Sequence, residues 1–166
     1  MQLYIVRHGI AIDREDPKSP SDPERFLTEE GIKKTKAAAA GLARLGVAPE
    51  LFFSSPFVRA MQTAELFAAA LDYPKNKIRT TESLLPGAQS NLFFRELARE
   101  KQVSCVFCFG HAPQLDELIS ASLGLKQDIT QLKKGGVALI ELRRISPPAG
   151  TLAWLAIPKM LRKLQK

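Results

Sequence analysis

Apolar residues arrive along this chain in two rhythms: short continuous runs, and longer stretches where they recur every three or four positions. Leu3-Tyr4-Ile5-Val6 is a run rich in β-formers and predicts a strand. Leu51-Phe52-Phe53-Ser54 predicts a second strand, residues 78–81 a shorter third, and residues 103–109 the most strand-like segment of all. Gly135-Gly136 then turns into a strand over 137–142, and Pro147, Pro148 and Gly150 form the turn before a last strand over 152–157. Between these runs the period lengthens. Thr28 reads as an N-cap with Glu29 and Glu30 at the positive end of a helix whose stripe is Ile32, Thr35, Ala39, Leu42 and Leu45, stopped by Gly46. Ser55-Pro56 reads as the cap and first-turn proline of a second helix, burying Phe57, Ala60 or Met61, Ala64, Phe67 or Ala68, and Leu71. Ser90 caps a third that runs to about Lys101, and Pro113 opens a fourth carrying Leu115, Leu118, Ile119 and Leu123.

Strands alternating with helices predict an α/β fold. The expected architecture is a three-layer α/β/α sandwich around a mostly parallel sheet, with an antiparallel hairpin added at the end. A chain of 166 residues fits one domain, taken here as 1–158 followed by a basic tail over 159–166. The proline-bearing stretch 13–25 and the segment 82–87 are read as loops. No run approaches the roughly eighteen apolar residues of a membrane span, and no secretory signal is visible at the start, so the expected location is the cytoplasm.

Cys105 and Cys108 sit inside a strand run, where alternation sends them to opposite faces. They read as small buried hydrophobes rather than a redox pair, which would favour a helix N-terminus. The net charge of +7, from 24 basic and 17 acidic residues, favours anionic partners. Aromatics are not interleaved on a basic face, so nucleic acid is not expected, nor is a membrane, and the chain is expected to be a monomer. Lys159, Arg162, Lys163 and Lys166 are read as a solvated surface.

Candidate chemistry lies where strands end. The first strand runs into Arg7-His8-Gly9, the second is followed by Arg59 in or beside the first turn of its helix, and the fourth ends in Gly110-His111. In a parallel sheet these carboxyl ends meet at one edge, where ligands of open α/β sheets bind. Arginine offers a permanent planar fork for phosphate, neutral histidine a nucleophile near pH 7, and Gly9 a close backbone approach to the ligand.

Arg7-His8-Gly9, Ser54-Ser55-Pro56 with Arg59-Ala60 and Gln62-Thr63, and Gly110-His111 resemble the histidine phosphatase superfamily, the group that contains phosphoglycerate mutases and many phosphatases. The short chain, Leu27-Thr28 and the run from Ser55 to Thr63 are similar to its SixA-type phosphohistidine phosphatase branch. The resemblance implies His8 as nucleophile, with Arg7, Arg59 and His111 as the phosphate pocket. Arg7, Arg59 and a protonated His111 would hold the equatorial oxygens while His8 attacks phosphorus, becomes a phosphohistidine and is freed by water. No cofactor is expected and no His/Asp/Glu cluster has metal-ligand spacing.

Glu82 stands where larger relatives carry a general acid, five residues before Gly87, and is the candidate for that role. Ala112 occupies the place of the acid that another branch puts after its second histidine, and Asp13 is a further choice. A compact chain without a large insertion before His111 favours an open site, hence a phosphohistidine displayed on a protein as substrate. The alternatives are a phosphatase of a small phosphorylated metabolite or nucleotide, and a phosphate-binding module without turnover.

Overall fold

Along the first strand the side chains alternate between two cores. Tyr4 and Val6 enter one, Leu3 and Ile5 the other, and all four are buried. A strand buried on both faces is what a central parallel sheet requires. A computed structural model of the chain, describing residues 1–100 and 102–164, has one six-stranded sheet. Its strands are β1 (Gln2–Arg7), β2 (Leu51–Ser54), β3 (Arg79–Thr80), β4 (Cys105–Gly110), β5 (Val137–Arg144) and β6 (Ala149–Ala156). The order across the sheet is β3-β2-β4-β1-β5-β6. The first four of these are parallel, and β5 and β6 run antiparallel at one edge.

Helices α1 (Glu29–Ala43), α2 (Val58–Ala70) and α5 (Pro158–Lys163) cover one face, with Ala38, Leu42, Ala64, Phe67 and Leu161 packed on Tyr4, Phe107 and Phe109. Helices α3 (Ser90–Leu97) and α4 (Gln114–Ser122) cover the other, where Phe93, Leu97, Leu115 and Leu118 meet Leu3, Ile5, Val106 and Cys108. The result is the expected α/β/α sandwich. Cys105 and Cys108 fall in different cores, and burial raises both thiol pKa values, that of Cys105 to about 11. Among the described residues no helix is long and apolar enough to cross a membrane.

Several boundaries differ from expectation. Helix α1 has the Thr28 cap, whose hydroxyl accepts from Gly31 N at 3.0 Å, but it ends at Ala43, leaving Leu45 exposed. The N-cap of α2 is Phe57 rather than Ser55, whose hydroxyl accepts from Phe57 N at 3.4 Å and also pairs with a histidine described below. Helix α3 begins at Ser90 after a Gln89 cap and ends at Leu97; Lys101 lies outside the described residues. The stretch expected as a tail from 159 is mostly helix α5, opened by Pro158 at its first turn and anchored by buried Leu161. It lies so close to α1 that a Cβ on Gly41 would collide with the Leu161 carbonyl. Residues 165 and 166 lie outside the described residues.

Candidate active site

β1 is pinned on both sides where it leaves the sheet. His8 N donates to Gly110 O of β4 at 3.0 Å, and Gly135 N is shared between Arg7 O and His8 O, 3.0 Å from each. These bonds deliver His8 and Arg7 to the carboxyl edge of the sheet beside His111. The His8 and His111 rings lie 5.1 Å apart. Arg59, in the first turn of α2, comes to the same place from β2.

The tautomer of His8 follows from one hydrogen bond. Its Nδ1 lies 2.7 Å from Gly9 O, and a carbonyl only accepts, so Nδ1 carries the proton and Nε2 keeps its lone pair. Burial depresses the His8 pKa to about 3; the Gly9 carbonyl opposes this, and Arg59, Arg7 and Lys134 reinforce it. His8 is therefore neutral at pH 7, with an Nε2 lone pair that can act as a base or a nucleophile.

The groups around it are held from behind. Arg7 Nη1 donates to Leu132 O at 2.7 Å. Arg59, 3% exposed, donates through Nη1 to Asp22 O at 2.5 Å and through Nη2 to the Asp22 carboxylate at 3.3 Å. His111 Nε2 pairs with Ser55 Oγ at 2.9 Å. Each side chain is left with one buried nitrogen that has no protein partner: Arg7 Nε, Arg59 Nε and His111 Nδ1. Buried polar atoms are nearly always paired, because an unpaired one costs about 1–3 kcal/mol. The two guanidinium nitrogens can only donate, and His111 Nδ1 donates in one tautomer, so on residues lining one cavity they suit an acceptor-rich ligand. The cavity is about 340 Å³ and is lined by Arg7, His8, Arg59 and His111, with Arg14, Arg25 and Lys134 against Asp13 and Glu15. Its charge balance is positive, and a tetrahedral oxyanion suits both its size and its donors.

The profile of the histidine phosphatase superfamily (branch 1) matches residues 3–85, which include Arg7, His8 and Arg59. An uncharacterized protein of Picosynechococcus sp. is 36% identical over 140 residues, 82% of this chain and 82% of that one. The chain belongs to the histidine phosphatase superfamily.

The protein histidine phosphatase SixA, solved with tungstate, superposes with a TM-score of 0.86 over 97% of this chain and 99% of its own, at 27% identity. The fold is of SixA type, and the family makes this chain a phosphatase. Mitochondrial serine/threonine-protein phosphatase Pgam5 of Drosophila persimilis is 29% identical over 110 residues. That alignment takes in 58% of this chain and only 37% of Pgam5, so the chain spans well under half of that relative.

Within this histidine phosphatase the structure gathers Arg7, His8, Arg59 and His111 and separates two other candidates from them. Glu82 opens a single 3-10 turn, Glu82–Leu84, and is exposed. It lines a neighbouring groove with Arg95 and Glu96 rather than the His8 cavity, and Pro86 lies between the two. Asp13 and Glu15 are the carboxylates at the cavity. Gly9 is not placed for phosphate. Its N–H donates to Thr63 Oγ1 at 3.0 Å, and a Cβ there would collide with Thr35 Oγ1, so its small size serves the contact with α1. His111 differs in charge: burial first, then His8 and Arg59, lower its pKa to about 3, so the unliganded ring is neutral at pH 7.

Sequence reasoning missed two supporting carboxylates. Asp22 ties Arg59, Arg25 and Arg14 together. Burial opposes its charge, but Arg25, Arg59 and Arg14 outweigh that and hold it at about 2. Asp116, 5% exposed, accepts from Leu132 N and Thr130 Oγ1, both at 2.8 Å, and so fixes the carbonyl that holds Arg7. The Ser-Asp-Pro-Glu sequence offered a local hint of Asp22 as a turn residue; nothing local marked its partners.

Proposed function

We propose that this protein hydrolyses phosphohistidine on other proteins through a covalent phosphohistidine on His8, without a metal ion. The observation that carries the reading is the neutral His8 Nε2 beside three buried, unpaired nitrogens of Arg7, Arg59 and His111. In the first step the Nε2 lone pair forms a bond to phosphorus as the bond to the leaving imidazole breaks. The imidazole departs with the electron pair and takes up a proton. Arg7, Arg59 and His111, protonated as the anion binds, hold the equatorial oxygens through that displacement. Water then attacks the phosphohistidine, inorganic phosphate leaves, and neutral His8 is restored. The two guanidinium groups supply the positive charge that a metal ion supplies in other phosphoryl-transfer sites.

Two features favour a phosphohistidine on a protein over a small phosphoester. Imidazole is a better leaving group than an alkoxide, which suits a site whose expected acid, Glu82, faces away from the cavity. The cavity rim at Asp13, Arg14 and Glu15 is exposed, so a side chain displayed on a protein surface can reach it. The free, buried Cys105 and Cys108 suit a reducing compartment, and we place the activity in the cytoplasm.

The test is phosphate release, in EDTA, from a chemically phosphorylated histidine protein and from a panel of small phosphoesters. His8→Ala abolishes turnover and the acid-labile phosphoenzyme while retaining phosphate binding. Preference for a small ester would replace the substrate assignment. Turnover that survives His8→Ala would remove the covalent mechanism.

A further inference from the structure

Directly beside the His8 cavity lies a second groove of about 320 Å³. Lys134 belongs to both, and the groove begins at Gly9 and Ile10, the residues that follow the nucleophile. Its floor is apolar: Ile10, Ile157 and Pro158. Its rim is cationic, with Lys34 from α1, Lys133 and Lys134 from the loop before β5, and Lys159 and Arg162 from α5. Glu30, outside the groove's lining, pairs with Lys34 and feels Arg162. Among the described residues Lys133, Lys134, Lys159 and Arg162 form no ion pair. Like charges gathered on three elements around an apolar floor repel one another, and an anion relieves that repulsion.

We propose that this groove docks an acidic segment of the substrate protein next to its phosphorylated residue, with an apolar side chain on Ile157 and Pro158 and carboxylates on the basic rim. The proposal rests on the reading of the substrate as a phosphoprotein and adds how that protein is chosen. The apolar floor decides the occupant. A small polyanion needs donors on every side, whereas a peptide carrying both carboxylates and an aliphatic side chain matches rim and floor together. The shared Lys134 makes the groove continuous with the phosphoryl site, so one bound segment reaches both.

Two synthetic peptides test it, each carrying one histidine phosphorylated by phosphoramidate, one flanked by Glu and Leu, the other by Ser and Gly. Free phosphohistidine serves as the third substrate. The wild type is expected to favour the acidic peptide by about tenfold in kcat/KM, through KM, as a few exposed charge pairs allow. High salt and the Lys133→Glu/Lys159→Glu double variant erase that preference and leave free phosphohistidine unchanged. Equal use of the two peptides, or equal loss on free phosphohistidine, overturns the proposal. Should the double variant fail to fold, the salt dependence of the wild-type preference decides. If the wild type cleaves none of the three, the phosphohistidine reading fails, and anisotropy of the labelled, unphosphorylated acidic peptide still reports docking. Tighter binding of tripolyphosphate than of that peptide at this groove overturns the choice of occupant.

Discussion

Removing the Asp116 side chain tests how Arg7 is held at the cavity. In Asp116→Ala the Leu132 N–H, buried in the core, loses its acceptor, and so does the half-buried Thr130 hydroxyl. An orphaned buried N–H costs about 1–3 kcal/mol, and the hydroxyl, which water can reach, about 0.5 kcal/mol. The sum is about 1.5–3.5 kcal/mol, which for a chain of this size lowers Tm by about 3–14 °C. The second effect is functional. Leu132 O holds Arg7 Nη1 at 2.7 Å, so loosening residues 130–132 frees the guanidinium. Loss of one well-placed charged hydrogen bond weakens inorganic phosphate by about tenfold. Asp116→Asn separates positioning from charge. Its amide oxygen can accept from both donors, so Tm stays near wild type and phosphate affinity is kept or modestly tightened, because a negative charge near Arg7 is gone. The assays are thermal melting and the inhibition constant of inorganic phosphate. An alanine variant that melts early yet binds phosphate like the wild type would refute the link to Arg7. An asparagine variant as weak as the alanine variant would show the carboxylate acting through its field instead.

Acid should destabilise the fold through its two histidines. Both have folded pKa values of about 3 against an ordinary 6.5, so below pH 6.5 the unfolded chain binds more protons and stability falls toward pH 3. From pH 6.5 to 5 each histidine accounts for about 1.5 kcal/mol, measured by denaturant unfolding; His111→Gln should flatten the slope, and an unchanged slope would contradict the assignment. Gly9→Ala places a methyl against Thr35 Oγ1 and near Leu27, costing about 1–3 kcal/mol in unfolding experiments. Thr35→Ala should recover part of that loss; a loss confined to phosphate affinity, with no rescue, would return Gly9 to the phosphate pocket.

The legible parts of this fold were those written in local pattern. The runs at β1, β2 and β4 alternate cleanly into two cores; β1 and β4 run straight into Arg7-His8 and His111, and the turn after β2 leads to Arg59 at the start of α2, so strand ends and one helix start place the four together. What escaped was set by contacts distant in sequence. Asp22 meets Arg59 across 37 positions, and Arg7 meets Leu132 across 125. Glu82 lines a neighbouring groove rather than the cavity, and its position along the chain says nothing of the 3-10 turn it opens. The C-terminal segment carries so many cations that its single buried anchor, Leu161, was overlooked as a helix signal. His111 was assigned a charge suited to the liganded state, whereas its burial in the open site favours neutrality.

One strand direction has a further effect on how this enzyme can change. Because β5 runs against β1, it is the segment before β5, not after it, that arrives at the catalytic edge. That segment closes the cavity with Lys134 and braces Arg7 with Leu132, yet it carries none of Arg7, His8, Arg59 and His111. It is clamped at one end by Asp116 and at the other by Gly135 against the backbone of Arg7 and His8. Between α4 and the first clamp, Leu123 packs on the core and Gly124 and Leu125 bond back to α4, whereas residues 126–129 are exposed and can lengthen or change sequence without touching the cavity residues. On the proposed reading of a protein substrate, grafting a foreign loop there, with both clamps retained, alters which proteins dock while leaving the cavity residues in place.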